Sequence, residues 1–127
     1  RTWTVSDEGR VYHFALQENI HFHDGTLLTC ENVWFSLLRA GATSSTNPDR
    51  TFFTNIAAVS CPDTTHTDIT LKKAHGSFTY ELAWNDASIL SPSSADKNAS
   101  HPIGTGPFLF QAWQRGDRVT LSRNPDY

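Results

Sequence analysis

Three histidines, His13, His21 and His23, offer the first chemistry to weigh in this chain. Tyr12, Phe14 and Leu16 alternate with His13 and Ala15, and Ile20 and Phe22 alternate with His21 and His23. Each run has the two-residue period of a half-buried strand. With Gln17-Glu18-Asn19 as a three-residue loop, the two runs read as a hairpin. Leu16 would then face Ile20, and Phe14 would face Phe22, on the core side. His13, opposite His23, would share the other face with His21. Three imidazoles on one side of a hairpin can hold zinc or nickel and leave a fourth position open. The competing reading is a solvated face that needs no ligand, and the metal reading depends wholly on the loop register. No resident cofactor is expected.

The other chemical signals are weaker. There is no Gly-x-Ser-x-Gly elbow, and no carboxylate pair stands out from turns and helix ends, so an enzyme is not expected. Cys30 begins an expected helix, where thiolate is favoured, but no base accompanies it, so it reads as a packed first-turn residue. Cys30 and Cys61 are too few for a disulfide framework. They either pair in an oxidising compartment or stay apart as small buried hydrophobes, and the sequence leaves both open. Gly104 and Gly106 precede a strand rather than a helix, and Pro107 lacks an N–H, so a phosphate cradle fails on context. Arg115-Gly116-Asp117 is turn chemistry at a hairpin tip. Asn98-Ala99-Ser100 is a sequon with meaning only in a eukaryotic secretory protein.

The elements that must position these residues follow from periodicity. A strand opens the chain over Arg1-Thr2-Trp3-Thr4-Val5. Thr29 is an expected N-cap with Glu31 in the first turn, and a helix is expected from Cys30 to Ala40. That helix should bury Val33, Trp34, Leu37 and Leu38, leave Asn32, Ser36 and Arg39 on its wet side, and stop at Gly41. Residues 42–49 read as a loop. Strands are expected over 56–60 and 68–72, a short helix over 77–84, and a polar connection over 91–100. A closing hairpin carries Phe108, Phe110 and Ala112 on one strand and Val119 and Leu121 on the other. The order gives an α+β fold with a mainly antiparallel sheet and two or three helices.

Composition narrows the class. The 127 residues amount to one domain, 38% hydrophobic and 18% charged, with a net charge of −3 and no cationic block. Nucleic acid is therefore excluded as an expected partner, since phosphate binding needs clustered Lys and Arg. No apolar run approaches the roughly 20 residues of a membrane span, and no signal peptide opens the chain. The chain has no Met and starts inside a strand, so it reads as a segment of a longer protein.

One ordered set of strings is more specific. Trp3-Thr4-Val5-Ser6-Asp7-Glu8-Gly9 is followed by Tyr12-His13-Phe14-Ala15-Leu16, then by Phe22-His23-Asp24-Gly25-Thr26 and Leu28-Thr29-Cys30-Glu31-Asn32-Val33. Later stand Ala87-Ser88-Ile89-Leu90-Ser91, His101-Pro102-Ile103-Gly104-Thr105-Gly106-Pro107-Phe108 and Arg123-Asn124-Pro125-Asp126-Tyr127. End to end, this succession resembles the family 5 solute-binding proteins, the dipeptide-, oligopeptide- and nickel-binding components of ABC importers.

The resemblance implies a periplasmic or lipid-anchored receptor of three lobes, with a type II periplasmic-binding-protein architecture, closing over its ligand by hinge motion. Residues 1–100 would form the small second lobe, and 101–127 a hairpin returning into the first. The partners implied are a small peptide or similar solute and the ABC permease subunits; a monomer is expected. Phe52 and Phe53 resemble a stretch that lends an aromatic side chain to the pocket in some relatives, with local packing as the bland alternative. Asn85 and Asp86 stand where relatives bring a loop near the cleft, with a helix-ending polar loop as theirs. The third lobe, which with the first holds most of the ligand, would lie beyond Tyr127. Within the same resemblance, a nickel or metal-chelate importer component and the solute sensor of a transcription regulator are the alternatives. Leu27, Cys30 and Asn32 depart from the family's usual Pro, Ala and Asp, and the three histidines are this chain's own.

Overall fold

The computed structural model describes residues 2–127, so the Arg1 end of the first expected strand lies outside the described residues. The chain is α+β, as the sequence predicts, and its contacts divide it into two compact units. The first comprises residues 2–18 and 29–89 of the described chain, the second residues 19–28 and 90–127. The expected division at 100/101 thus falls inside the second unit, which also takes up the segment 19–28.

The first unit is built on a four-stranded antiparallel sheet of order β1-β2-β4-β3, from β1 (Thr2–Ser6), β2 (Val11–Ala15), β3 (Ile56–Ser60) and β4 (His66–Leu71). Strand β4 buries Thr67, Ile69 and Leu71 and turns the alternate residues outward, the period-two pattern of a sheet with one covered face. Helices α1 (Cys30–Gly41), α2 (Arg50–Thr54) and α3 (Phe78–Leu82) contribute Val33, Leu37, Phe53 and Phe78 to a core shared with Tyr12, Ile56, Val59, Ile69 and Leu71. Burying each such side chain is worth about 1.5–3 kcal/mol before entropy is counted.

Two expectations are corrected here. The hairpin of 12–16 with 20–23 does not form. Strand β2 pairs with β1 on one side and β4 on the other, so Phe14 lies opposite Trp3 and Thr67 rather than Phe22. Two five-residue ladders pair β2 along both of its edges, which the four-residue partner at 20–23, on one edge, could not match. The segment 20–28 instead closes on itself: the Phe22 N–H donates to the Thr26 carbonyl and the Leu28 N–H to the Ile20 carbonyl. The second correction concerns the face of α1. Val33 and Leu37 are buried as predicted, but so are Asn32 and Ser36, whereas Trp34 and Leu38 are 45% and 44% exposed. Asn32 is inward because it caps the helix: its Oδ1 accepts the Thr29 N–H at 2.7 Å and the Thr29 hydroxyl at 3.2 Å. Ser36 is satisfied by donating its hydroxyl to the Asn32 carbonyl at 2.7 Å.

The helix ends at Gly41 for a packing reason. A Cβ there would stand 3.3 Å from the Phe53 backbone, so glycine lets α2 approach α1 closely. At the other end, Cys30 is bonded to Cys61 with the Cα atoms 5.7 Å apart, which resolves the open question in favour of pairing. The bond fastens the first turn of α1 to the end of β3.

In the second unit, β5 (Phe108–Gln114) and β6 (Arg118–Arg123) form the expected hairpin, turning at Gly116 with φ of 79°. The loop 104–106 is held by His23 of the segment 19–28. The Gly104 N–H donates to His23 Nδ1 at 3.2 Å, and Nε2 donates to the Gly106 carbonyl at 2.9 Å, a pairing suited to the neutral Nε2–H ring. Among the described residues, no helix is long and apolar enough to cross a membrane.

Candidate functional site

Helix α2 splits the Phe52-Phe53 pair. Successive residues on a helix point about 100° apart, so one ring can enter the core while the next looks outward. Phe53 is 3% exposed and belongs to the core. Phe52 meets Phe53 edge-on at 4.9 Å, stacks on Phe78 at 5.3 Å, and lines a cleft of about 510 Å³ in the first unit. Asp49, Asn55, Lys73, His75, Glu81 and Trp84 line the same cleft.

The polar residues of this cleft are held by the backbone around them. Asn55 donates to the Lys73 carbonyl and accepts the Lys73 N–H, joining the end of α2 to the segment after β4. Tyr12 donates its hydroxyl to the His75 carbonyl at 3.2 Å. His75 Nε2 meets Glu81 Oε1 at 2.7 Å, and the Ser77 hydroxyl donates to the same carboxylate oxygen. These two bonds, that from Ser77 first, hold the Glu81 carboxyl below its usual value. Asp49 moves the other way: lost hydration pushes its pKa up, followed by the negative charge of Asp86 and the hydrogen bond between the two carboxyls. Asp86 is brought near by Asn47, whose Nδ2 donates to the Asp86 carbonyl at 2.8 Å while its Oδ1 accepts the Asp49 N–H at 2.9 Å.

Ser77, His75 and Glu81 have the residue types of a nucleophilic triad, but not its geometry. In a triad, the carboxylate orients one ring nitrogen so that the other can take the serine proton. Here Ser77 and Glu81 both meet the same nitrogen, Nε2, and the Ser77 hydroxyl donates its hydrogen bond to Glu81. The lining of the cleft is chemically mixed. It offers an aromatic wall, carboxylates on one rim and one ammonium, groups that suit a polar solute carrying both charge signs.

Of the residues singled out from sequence, Phe52 lines the cleft and Asp86 acts on its Asp49 rim, whereas Phe53 is core. Asn85 lies in the short 3₁₀ turn Asn85–Ala87, its carbonyl accepting the Ser88 hydroxyl. The three histidines do not share a face. His13 sits on β2 with Nδ1 on Asp68 at 2.8 Å and Nε2 on the Ser6 hydroxyl at 2.9 Å. His21 bonds the Asn19 carbonyl, and His23 grips the loop 104–106. Among the described residues, no group of three His, Cys, Asp or Glu is placed to hold a metal. The shared face of His13, His21 and His23 fails with the hairpin on which it was read. Asp49, Lys73, His75 and Glu81 gave no signal in one dimension, because three separate segments deliver them.

Comparison with known proteins bears on what such a site serves. The family model described as bacterial extracellular solute-binding proteins, family 5, middle, matches residues 1–127. The glutathione-binding protein GsiB of Escherichia coli O1:K1 is 32% identical over 130 residues, covering 99% of this chain and 25% of GsiB. The probable D,D-dipeptide-binding periplasmic protein DdpA of Escherichia coli K12 is 31% identical over 138 residues, covering 99% of this chain and 26% of DdpA. Among solved structures, AgaA of A. tumefaciens R10, in complex with agropinic acid, superposes with a TM-score of 0.91 at 29% identity, over 99% of this chain and 26% of its own. The chain spans about a quarter of the length of these relatives.

Proposed function

From the premise that this chain belongs to the bacterial extracellular solute-binding proteins of family 5, we propose that it is a lobe of the substrate-binding component of an ABC importer that captures short peptides. The observation carrying the reading is the family match over the whole chain, together with relatives whose names state glutathione and D,D-dipeptide binding. A type II periplasmic-binding-protein-like, α+β architecture accords with it, as does the likeness to AgaA.

The mechanism is encapsulation without chemistry. The solute selects the closed arrangement of the lobes because that arrangement satisfies its termini and backbone, and the membrane permease recognises the closed form. The first unit is the small lobe, and the β5-β6 hairpin belongs to the lobe beside it. Within this reading, Phe52 supplies an apolar surface on the small lobe, and Asp49, with Asp86 behind it, attracts the ammonium end of an arriving peptide. Outside the cytoplasm, periplasmic or lipid-anchored, the protein meets oxidising conditions, and the Cys30–Cys61 bond suits them. It acts as a monomer.

The test is native mass spectrometry of the exported protein that carries this chain, purified gently. Bound masses matching short peptides support the reading and give the length preference. A nickel or metal-chelate mass would replace the peptide with a metal cargo. A protein that stays in the cytoplasm, fused to a DNA-binding domain, would replace the importer with a solute-sensing regulator.

A further inference from the structure

Apart from the cleft, a second cluster in the first unit has the atoms of a nucleophilic relay. It lies on the outer face of the four-stranded sheet. Strand β2 buries Tyr12, and strand β4 buries Thr67 and Ile69, so His13 and Asp68, alternating with them, turn away from the core. The two are direct cross-strand partners, and Ser6 stands two residues from Thr4, the partner of His13 in β1. Three neighbouring strands thus bring Ser6, His13 and Asp68 to one face.

The bonds run in the order that the Ser77 cluster lacks. A carboxylate only accepts, so the neutral His13 ring donates from Nδ1 to Asp68 Oδ1, at 2.8 Å. That leaves Nε2 to accept the Ser6 hydroxyl at 2.9 Å. Carboxylate and serine take different ring nitrogens, as activation of a hydroxyl by a positioned base requires. The Asp68 and His13 side chains are 29% and 42% exposed, whereas Ser6 ends β1 in the open. A substrate therefore meets the nucleophile without parting the orienting pair.

We propose that Ser6, His13 and Asp68 form an acyl-transfer site that hydrolyses small esters with good leaving groups. Ser6 Oγ adds to the ester carbonyl carbon as its proton passes to His13 Nε2. The bond from that carbon to the leaving oxygen breaks, and the proton goes out with the alcohol or phenol. Water then adds to the acyl carbon and gives a proton to Nε2, and Ser6 Oγ leaves by taking that proton back, which frees the acid. Asp68 is a positioning residue. A sheet turns its N–H groups into its own ladders, so this face sets no backbone donors at the oxyanion, and esters with poor leaving groups stay intact. The activity goes beyond solute capture, and the site shares no residue with the lining of the cleft.

The experiment incubates the exported full-length protein with p-nitrophenyl acetate and follows acetylation peptide by peptide, together with p-nitrophenol release. Ser6 is the one serine of the tryptic peptide Thr2–Arg10. It should be acetylated at least about 100-fold faster than Ser100, an exposed serine outside the site, the low end of what a positioned base supplies. More than one equivalent of p-nitrophenol should be released, and Ser6→Ala should remove the excess. His13→Gln should slow Ser6 acetylation to the rate of Ser100. Asp68→Asn should slow it too, because the amide donates to Nδ1 and leaves the ring proton on Nε2. Asp68→Glu should restore part of the rate, and solute binding should be the same in every variant. Acetylation of Ser6 less than about tenfold faster than that of Ser100 in the unaltered protein would overturn the assignment. So would a rate that His13→Gln leaves unchanged, or an acetyl-Ser6 that water does not clear.

Discussion

Opening the Cys30–Cys61 bond should loosen one unit of the chain and spare the other. The bond closes a loop of sequence separation 31 that contains all of α1, α2 and β3. For a loop of that length, the chain-entropy model gives about 3.7 kcal/mol of stabilisation at room temperature, by restricting the unfolded chain. Cys61→Ser is the better probe, because Cys61 is exposed and accepts a hydroxyl, whereas Cys30 is buried and stays behind as a small apolar side chain. Bulk unfolding of a multi-lobe protein is not two-state, so the assay is hydrogen exchange resolved by segment. Amides of α1, β3 and β4 that open with the first unit should lose protection by up to about 500-fold, the factor equivalent to that free energy. Amides of β5 and β6 should keep theirs, since both cysteines lie in the first unit. A loss below about tenfold in α1 and β3 would refute the reasoning, and so would an equal loss in the β5-β6 hairpin.

Three further outcomes are expected. Asn32→Ala should destabilise the first unit by about 1–2 kcal/mol by stranding the Thr29 N–H, whereas Asn32→Asp, which keeps the acceptor, should be nearly neutral in thermal melts at neutral pH. Phe53→Ala should cost about 3–5 kcal/mol as a core deletion; Phe52→Ala should cost clearly less, yet weaken solute binding by the exported protein if the cleft takes part. The Asp63 carboxyl is held down to about 2, first by the bond from His66 and then by those from Thr65. Its folded pKa lies below the unfolded value, so its contribution is present above the unfolded value and lost as pH falls through about 2. Carboxyl titration by NMR should find the Asp63 pKa raised toward 3.8 in His66→Ala.

Local signals were legible, the closing hairpin among them, and the pairing of β2 was not. Thr29 as the N-cap, the α1 span, strand β3 and the closing hairpin over Arg115-Gly116-Asp117 all follow from neighbours within a few residues, and the structure agrees. The hairpin of 12–16 with 20–23 failed although its alternation was real. Period two reports which face of a strand is buried and says nothing of which strand lies beside it. Strand β2 found partners 55 residues away in β4 and across a tight turn in β1, and the histidine triad dissolved with the local alternative. Asn32 and Ser36 failed differently: a polar residue counts as outward-facing until its hydrogen bonds are known, and both are satisfied inside the fold.

The same distinction explains why the cleft was half visible. Phe52 and Asp86 came from a resemblance, which transmits the position of a segment and not the direction of a side chain, so Phe53 was named beside Phe52 although it serves the core. Asp49, Lys73, His75 and Glu81 converge from the start of α2, the segment after β4 and α3, and no sequence period joins those places. Thr67 is the opposite case. It sits in a clean inward row of β4, where the pattern asks for an aliphatic residue, and only the structure shows that its hydroxyl is buried without a hydrogen-bond partner. In a fold that is locally consistent almost everywhere, such a conflict is legible only in three dimensions, because the residue type alone carries no sign of whether its hydroxyl finds a partner.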